Sequence, residues 1–159
     1  GIRVTRKPGC GDAEVTQGYD ALRVLSGIAE AGTDFALQDA FPHDVLYDLM
    51  GGVSFKKGCY VGQEVVSRMQ HRGTARRRVV AVTAEAALPA SGTELSAGGK
   101  PIGSLGTVTG NRGLAIVRID RAGEAIAAAT PILAGEMIVT LSLPSWTGLA
   151  FPTSAAEEG

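Results

Sequence analysis

The chain has 159 residues, 45% hydrophobic and 19% charged, with a formal net charge of −1. Such a composition buries a real core and excludes wholesale disorder, and the length suits one ordinary domain or two small ones. The even charge balance excludes a globally basic, non-specific nucleic-acid binder, though not a local basic patch.

The chain opens on the strand-like Gly1-Ile2-Arg3-Val4-Thr5, without Met and without a signal-peptide h-region. The expectation is a piece cut from a longer, soluble, intracellular protein. Cys10, in Pro8-Gly9-Cys10-Gly11-Asp12, reads as an incidental residue of a surface turn. The spacing of Leu22, Leu25 and Ile28 predicts a helix over residues 17–29, with Asp20 as N-cap and Gly27 as stop. Pro42 precedes a short helical pattern in which Val45, Leu46, Leu49 and Met50 share a face, ended by Gly51-Gly52. Val53-Ser54-Phe55 reads as a short extended piece. A third helix is expected from Gly62 to Gly73, with Val65, Val66 and Met69 on its buried side.

From Arg76 the texture turns to strands. Residues 78–83, 93–97, 100–109, 113–119 and 137–143 are short, apolar and separated by Gly-rich turns, which argues an antiparallel barrel or sandwich. Gly103, Gly106 and Gly110 suggest one strongly bent strand. The expected class is α+β: a mixed helix and strand segment over residues 1–75, a small antiparallel β-barrel over 76–150, and a disordered tail over 151–159. No apolar run reaches eighteen residues, so no spanning helix is expected.

Chemistry concentrates in Lys57-Gly58-Cys59-Tyr60-Val61-Gly62-Gln63-Glu64. A thiol beside two lysines and ahead of a helix start is placed to act as nucleophile or soft ligand, because positive potential favours thiolates. A small buried Cys in a tight turn is the alternative. Gln63 and Glu64 either cap the helix or hydrogen-bond a heterocycle. Arg68, Arg72, Arg76, Arg77 and Arg78, with His71 among them, suit phosphate or several carboxylates; pairing with local acids explains them equally. Cys10 and Cys59 form neither a disulfide framework nor a metal set with His43 and His71, so no metal site is expected. Trp146 is expected to pack the closing segment of the barrel.

The eight residues 57–64 match the K-G-C-[FY]-x-G-Q-E signature of the YgfZ family, relatives of the glycine-cleavage T protein that include mitochondrial iron–sulfur assembly factors. Arg23, Gly27 and Ile28 resemble the family's R-x-x-x-G-[IV]-P element, with Ala29 where Pro is usual. Phe41-Pro42-His43-Asp44 and Gly52-Val53-Ser54-Phe55 precede the signature as in relatives, and Val65–Gly73 follows it in register. The resemblance covers roughly residues 17–120. It implies a three-domain folate-binding fold of which this is the C-terminal part, and an accessory role in maturing iron–sulfur enzymes, including tRNA-modifying ones. It also implies Cys59 as the working thiol and tetrahydrofolate as cofactor. Arg23, Lys57, Gly58, Tyr60, Gln63, Glu64 and Arg68 are then the candidate cofactor contacts, in a site left incomplete without an N-terminal half.

Three functions compete. A folate-dependent assembly factor would partner its own N-terminal half and iron–sulfur clients or assembly proteins, in the cytoplasm or, in a eukaryote, the mitochondrial matrix. A tetrahydrofolate-dependent aminomethyltransferase of the T-protein type fits the superfamily, but such proteins resemble residues 57–64 only loosely. An RNA-binding module would use Arg68–Arg78 for tRNA, where a polyglutamate tail is the other candidate contact.

Overall fold

Six strands, four of them rich in apolar side chains, close on themselves. The computed structural model describes residues 13–72 and 75–152. Its strands are β1 (Arg77–Thr83), β2 (Glu94–Ala97), β3 (Lys100–Thr109), β4 (Arg112–Arg118), β5 (Ile132–Ala134) and β6 (Met137–Ser142). All pair antiparallel in the order β1-β4-β3-β2-β5-β6, and β6 returns to β1 through Ala81–Ser142, Val82–Leu141 and Thr83–Thr140. The expected α+β class with a small antiparallel barrel is therefore what the chain forms. Val80, Val82, Leu95, Leu105, Val117 and Leu141 point into one barrel core.

Two elements were not foreseen. Helix α3 (Ile119–Ala127) buries Ala122, Gly123 and Ala125 against the barrel. These are small side chains that leave no large apolar stripe for a periodicity reading to find. Strand β5 is three residues long, too short to alternate visibly.

Strand β1 is buried on both faces, since Val79, Val80 and Val82 all lack exposure. Val79 on β1 and Leu114 on β4 face outward, into a second apolar cluster with Val24, Ala29, Val45 and Leu46. Thus helix α1 (Ala13–Ser26) and the turns of residues 41–51 pack on the barrel's outer wall.

Several local expectations are corrected by this packing. Asp20 lies inside α1, not at its N-cap, and pairs with Arg23 one turn on. The buried face of α1 is Arg23 and Val24; Leu25 is 62% and Ile28 40% exposed, against the expected stripe. Gly27, at φ +69°, does end the helix. Residues 42–50 form successive tight turns, not a helix, because Leu46 takes the left-handed conformation at φ +64°. A helix cannot continue through that conformation, which costs a non-glycine residue about 1–2 kcal/mol; complete burial of the Leu46 side chain offsets it. Leu49 and Met50 are consequently exposed. Residues 53–55 are bends and coil with no strand partner. Helix α2 (Gln63–Arg72) forms where expected, but Val65 is exposed and only Val66 is fully buried. The opening strand, Cys10, Gly73 and the tail beyond Pro152 lie outside the described residues.

What joins α1 to the barrel is polar. The Arg23 guanidinium, its side chain 4% exposed, donates to Asp34 Oδ2 at 2.7 Å, Thr107 Oγ1 at 2.8 Å, Asp20 Oδ1 at 2.9 Å and the Ile28 carbonyl at 3.0 Å. Asp34 also accepts the Glu30 N–H at 2.7 Å and the Thr107 N–H at 2.5 Å. The β3–β4 register breaks between Leu105 and Val108, freeing the Thr107 N–H from the ladder. Gly106 sits at the same bulge because a Cβ there would stand 2.5 Å from Asp34 Oδ1. Burial pushes the Asp34 carboxyl upward, but the Glu30 and Thr107 hydrogen bonds and Arg23 outweigh it and hold it below the ordinary 3.8.

Asp34→Asn leaves the buried Arg23 without its closest counter-charge and should destabilise the chain by about 3–5 kcal/mol at neutral pH, read by urea unfolding. Because the folded Asp34 value is depressed, its contribution is complete above the unfolded carboxylate range and fades as pH falls through the folded value. The stability gap between wild type and variant should therefore narrow on acidification; a gap that widens as the pH falls would contradict the assignment.

Candidate functional site

The signature lies on an open loop pinned at both ends. Before it, the Phe55 ring tilts against buried His43, with centroids 6.2 Å apart. After it, Gln70 of α2 meets His43 Nε2 through Oε1 at 3.2 Å. His43 itself belongs to the turns that cover β1. Strand β6 reaches only Ala81–Thr83, so the first half of β1 lacks a strand on that side, and the Val79 N–H donates to the Asp44 carbonyl at 2.9 Å instead. Arg78 donates to the His43 carbonyl at 2.6 Å and to both Asp48 oxygens at 2.9 and 3.0 Å. Burial pushes the Asp44 carboxyl above its usual value despite the Phe41 N–H and the charges of Arg77 and Arg78.

Between these pins, Lys56, Lys57, Gly58 and Cys59 are all exposed. Cys59 is a free thiol facing solvent, so the buried-turn alternative does not hold for it. The Lys57 ammonium stands 4.8 Å from the centre of the Tyr60 ring, a cation–π contact that orders the loop just before and after Cys59. Gln63 reaches back through Oε1 to the Tyr60 N–H at 3.3 Å, closing the turn that precedes α2. Glu64 occupies the first turn of α2 and pairs with Arg68 at 2.6 Å, both side chains largely exposed. The fold thus brings together Lys57, Gly58, Cys59, Tyr60, Gln63, Glu64 and Arg68. Arg23 is not among them, its partners being Asp20, Asp34, Thr107 and Ile28.

The arginine cluster divides. Arg68 pairs with Glu64, Arg77 lies 3.3 Å from Asp44, and Arg78 is buried on Asp48. These three serve local acids, so they do not present a single phosphate-binding face. Trp146 is half exposed and donates Nε1 to the Ser26 carbonyl at 2.8 Å, tying the segment after β6 to the end of α1.

The site residues form an open shell. Of three clefts near the barrel, about 550, 330 and 680 Å3 in volume, none is lined by a residue of 57–68. Gln63 and Glu64 already have partners in the Tyr60 N–H and Arg68. The site residues expose one thiol, Cys59, with the exposed Lys56 and Lys57 three and two positions before it in the chain. Among the described residues no three His, Cys, Asp or Glu side chains gather as a metal ligand set. Sequence reasoning missed Asp34, Thr107, His43 and Asp48 as the residues that hold this arrangement; only Phe41-Pro42-His43-Asp44 carried a signal, as part of a conserved-looking spelling without a role.

Comparison with known proteins agrees with this architecture. The family described as CAF17, C-terminal beta-barrel domain, matches residues 76–149. The mitochondrial iron-sulfur cluster assembly factor IBA57 of Mus musculus is 35% identical over 87% of this chain and 39% of its own length. The human IBA57 is 35% identical over 80% and 37%, and the Neosartorya fischeri homolog 34% over 73% and 36%. The chain spans about two fifths of the length of these relatives.

Cys59 should react in the native state, at a rate close to that of the denatured chain, with iodoacetamide and peptide mass spectrometry as the readout. Replacing Lys56 and Lys57 by Gln should slow the anionic reagent iodoacetate several-fold more than neutral iodoacetamide, because the lysines supply local positive potential. Labelling of Cys59 only after denaturation would contradict the exposed loop.

Proposed function

This chain belongs to the YgfZ-related family that includes the IBA57 assembly factors, as its C-terminal part, and from that premise we propose that it serves in iron–sulfur cluster assembly. The observation that carries the reading is the exposed Cys59 within residues 57–64, on a loop held by Phe55 and Gln70 against His43. Cys59 meets the cluster, or the protein delivering it, as a transient ligand. A single thiol cannot hold a cluster, which takes four ligands, so the cluster is cargo shared with a partner. Lys56 and Lys57 draw the negatively charged thiolate-bound cluster toward the loop. The clients proposed are iron–sulfur enzymes, among them tRNA-modifying ones; the relatives are named mitochondrial, and in a eukaryote the matrix is the location proposed.

Tetrahydrofolate enters the proposal as a ligand of the longer protein. When bound it supplies a one-carbon carrier or a redox-active pteridine. Tyr60, Gln63 and Glu64 offer one wall of such a site, and the remaining walls come from the part of the relatives' length this chain does not span. The distribution of exposed apolar side chains supports a covered lobe. Of thirteen exposed large hydrophobics among the described residues, ten lie between Leu25 and Val65 and three on or after α3. A surface so apolar is covered by further protein; the N-terminal half of the same protein is the partner proposed.

Complementation of a family-deficient strain by the intact protein should restore the activity of a cluster-containing enzyme, and Cys59→Ala should lose most of it at equal protein abundance. Full rescue by Cys59→Ala would move the function away from the thiol. Calorimetry should find tetrahydrofolate at least about tenfold weaker on this chain than on the intact protein, roughly 1.4 kcal/mol or more, because a partial site lacks preorganised contacts. Equal affinities would contradict the shared site.

A further inference from the structure

Arg77 and Arg118 are register partners on β1 and β4, so two guanidinium-bearing side chains leave the outer wall from directly opposed positions. Like charges so placed on an antiparallel pair destabilise it, and the arrangement calls for counter-charge. Part of that counter-charge is internal. Asp120 accepts from Arg118 Nε at 3.2 Å and from Nη2. The Asp39 carbonyl accepts from Arg77 Nη2 at 2.7 Å, with Asp44 3.3 Å away. Each guanidinium still keeps an unused edge. Arg77 Nε is buried without an acceptor, and Nη1 of neither arginine makes a hydrogen bond among the described residues.

Both side chains line the same cleft of about 550 Å3, between residues 32–39 and the outer wall at β3 and β4. Its wall at Gly103 carries no side chain because a Cβ there would collide with the Ile116 carbonyl. Ser91 and Ser104, both exposed, place hydroxyls at its edge. Two carboxylates also belong to the lining, yet they do not close it to an anion. The Asp34 side chain is 2% exposed and turned to Arg23, Glu30 and Thr107. The Asp39 side chain is 67% exposed and 3.8 Å from Arg77, at the solvent side.

We infer that this cleft binds a small ligand bearing an oxyanion, carboxylate or phosphate, which bridges the free edges of Arg77 and Arg118. A guanidinium edge takes two oxygens of such a group at once, and the volume suits a small-molecule ligand. The inference is independent of Cys59 and of tetrahydrofolate, since no residue of 57–68 lines the cleft.

The test titrates inorganic phosphate and, separately, glutarate into the isotope-labelled chain, following by NMR the amides of Gly92, Gly103 and Ser104 and the arginine Nε–H signals. The expected result is saturable shifts confined to these positions for at least one anion. Binding should be at least tenfold weaker in Arg118→Gln and several-fold weaker in Arg118→Lys, which keeps the charge and the Asp120 pairing but lacks the planar fork. Phosphate alone, glutarate alone, or both, would identify the source of the oxyanion and support the site. No saturable shift with either anion, shifts scattered over surface cations, or undiminished binding in a folded Arg118→Lys would overturn it.

Discussion

The structure depends on one buried cation. Arg23 sits where a helix would ordinarily place an apolar residue against a sheet, and four hydrogen bonds from its guanidinium replace the contact. Removing a guanidinium from water costs several kcal/mol unless its charge and donors are matched. Asp34 matches the charge, and Asp34 is in turn held by two backbone N–H groups, one on the connector at Glu30 and one on β3 at Thr107. Each requirement propagates. Thr107 must be free of the ladder, which requires the bulge; the bulge brings the backbone close, which requires Gly106. A sequence feature on α1 thereby dictates where a barrel strand bends.

A second clamp works along the uncovered edge of β1. The uncovered half of β1 would be a sheet edge, and the 41–51 turns cover it through Val79 to Asp44 and Arg78 to Asp48 and His43. Covering an edge with irregular backbone demands many satisfied polar groups in a small space, which explains two buried carboxylates and a buried His there. The Arg68–Arg78 run looks in the sequence like a surface for polyanions. Three of its members are instead the counter-charges of Glu64, Asp44 and Asp48.

What the sequence made legible followed from how repetitive the underlying physics is. Strands β1, β3, β4 and β6 are apolar, β-branched runs of six or more residues, and they fall within a residue or so of expectation. Helix α2 was legible from Val66, Met69 and a Gly before it. Helix α3 was not read, although its apolar residues do gather on one face, because that face is built of the small residues Ala122, Gly123 and Ala125. The run Val45–Met50 misled because its spacing is helical while Leu46 adopts a backbone conformation that no side-chain pattern announces. At the candidate site, Cys59 and its lysines were legible as chemistry. The placement of Arg23 was not, since its partner Asp34 lies eleven residues on and Thr107 eighty-four, and a motif read along the chain cannot show which residues meet across it.

The exposed loop at residues 56–62 is best understood against this distribution of constraints. The barrel core and the two polar clamps contain most of the buried groups, whereas the loop from Lys56 to Gly62 contributes almost none. Segments with few buried contacts open at low free energy without unfolding their neighbours. Here such opening has bounds: Phe55 on one side and Gln70 on the other both rest on His43, which is itself fixed by the Arg78–Asp48 clamp. Cys59 can therefore change its immediate surroundings on meeting a partner while its distance from the barrel stays limited by the pins. A thiol that receives and then releases a cargo, the role proposed for Cys59, needs both properties. Rigid burial would deny access, and an untethered loop would forgo the orientation that makes a shared ligand set form at one place on the surface.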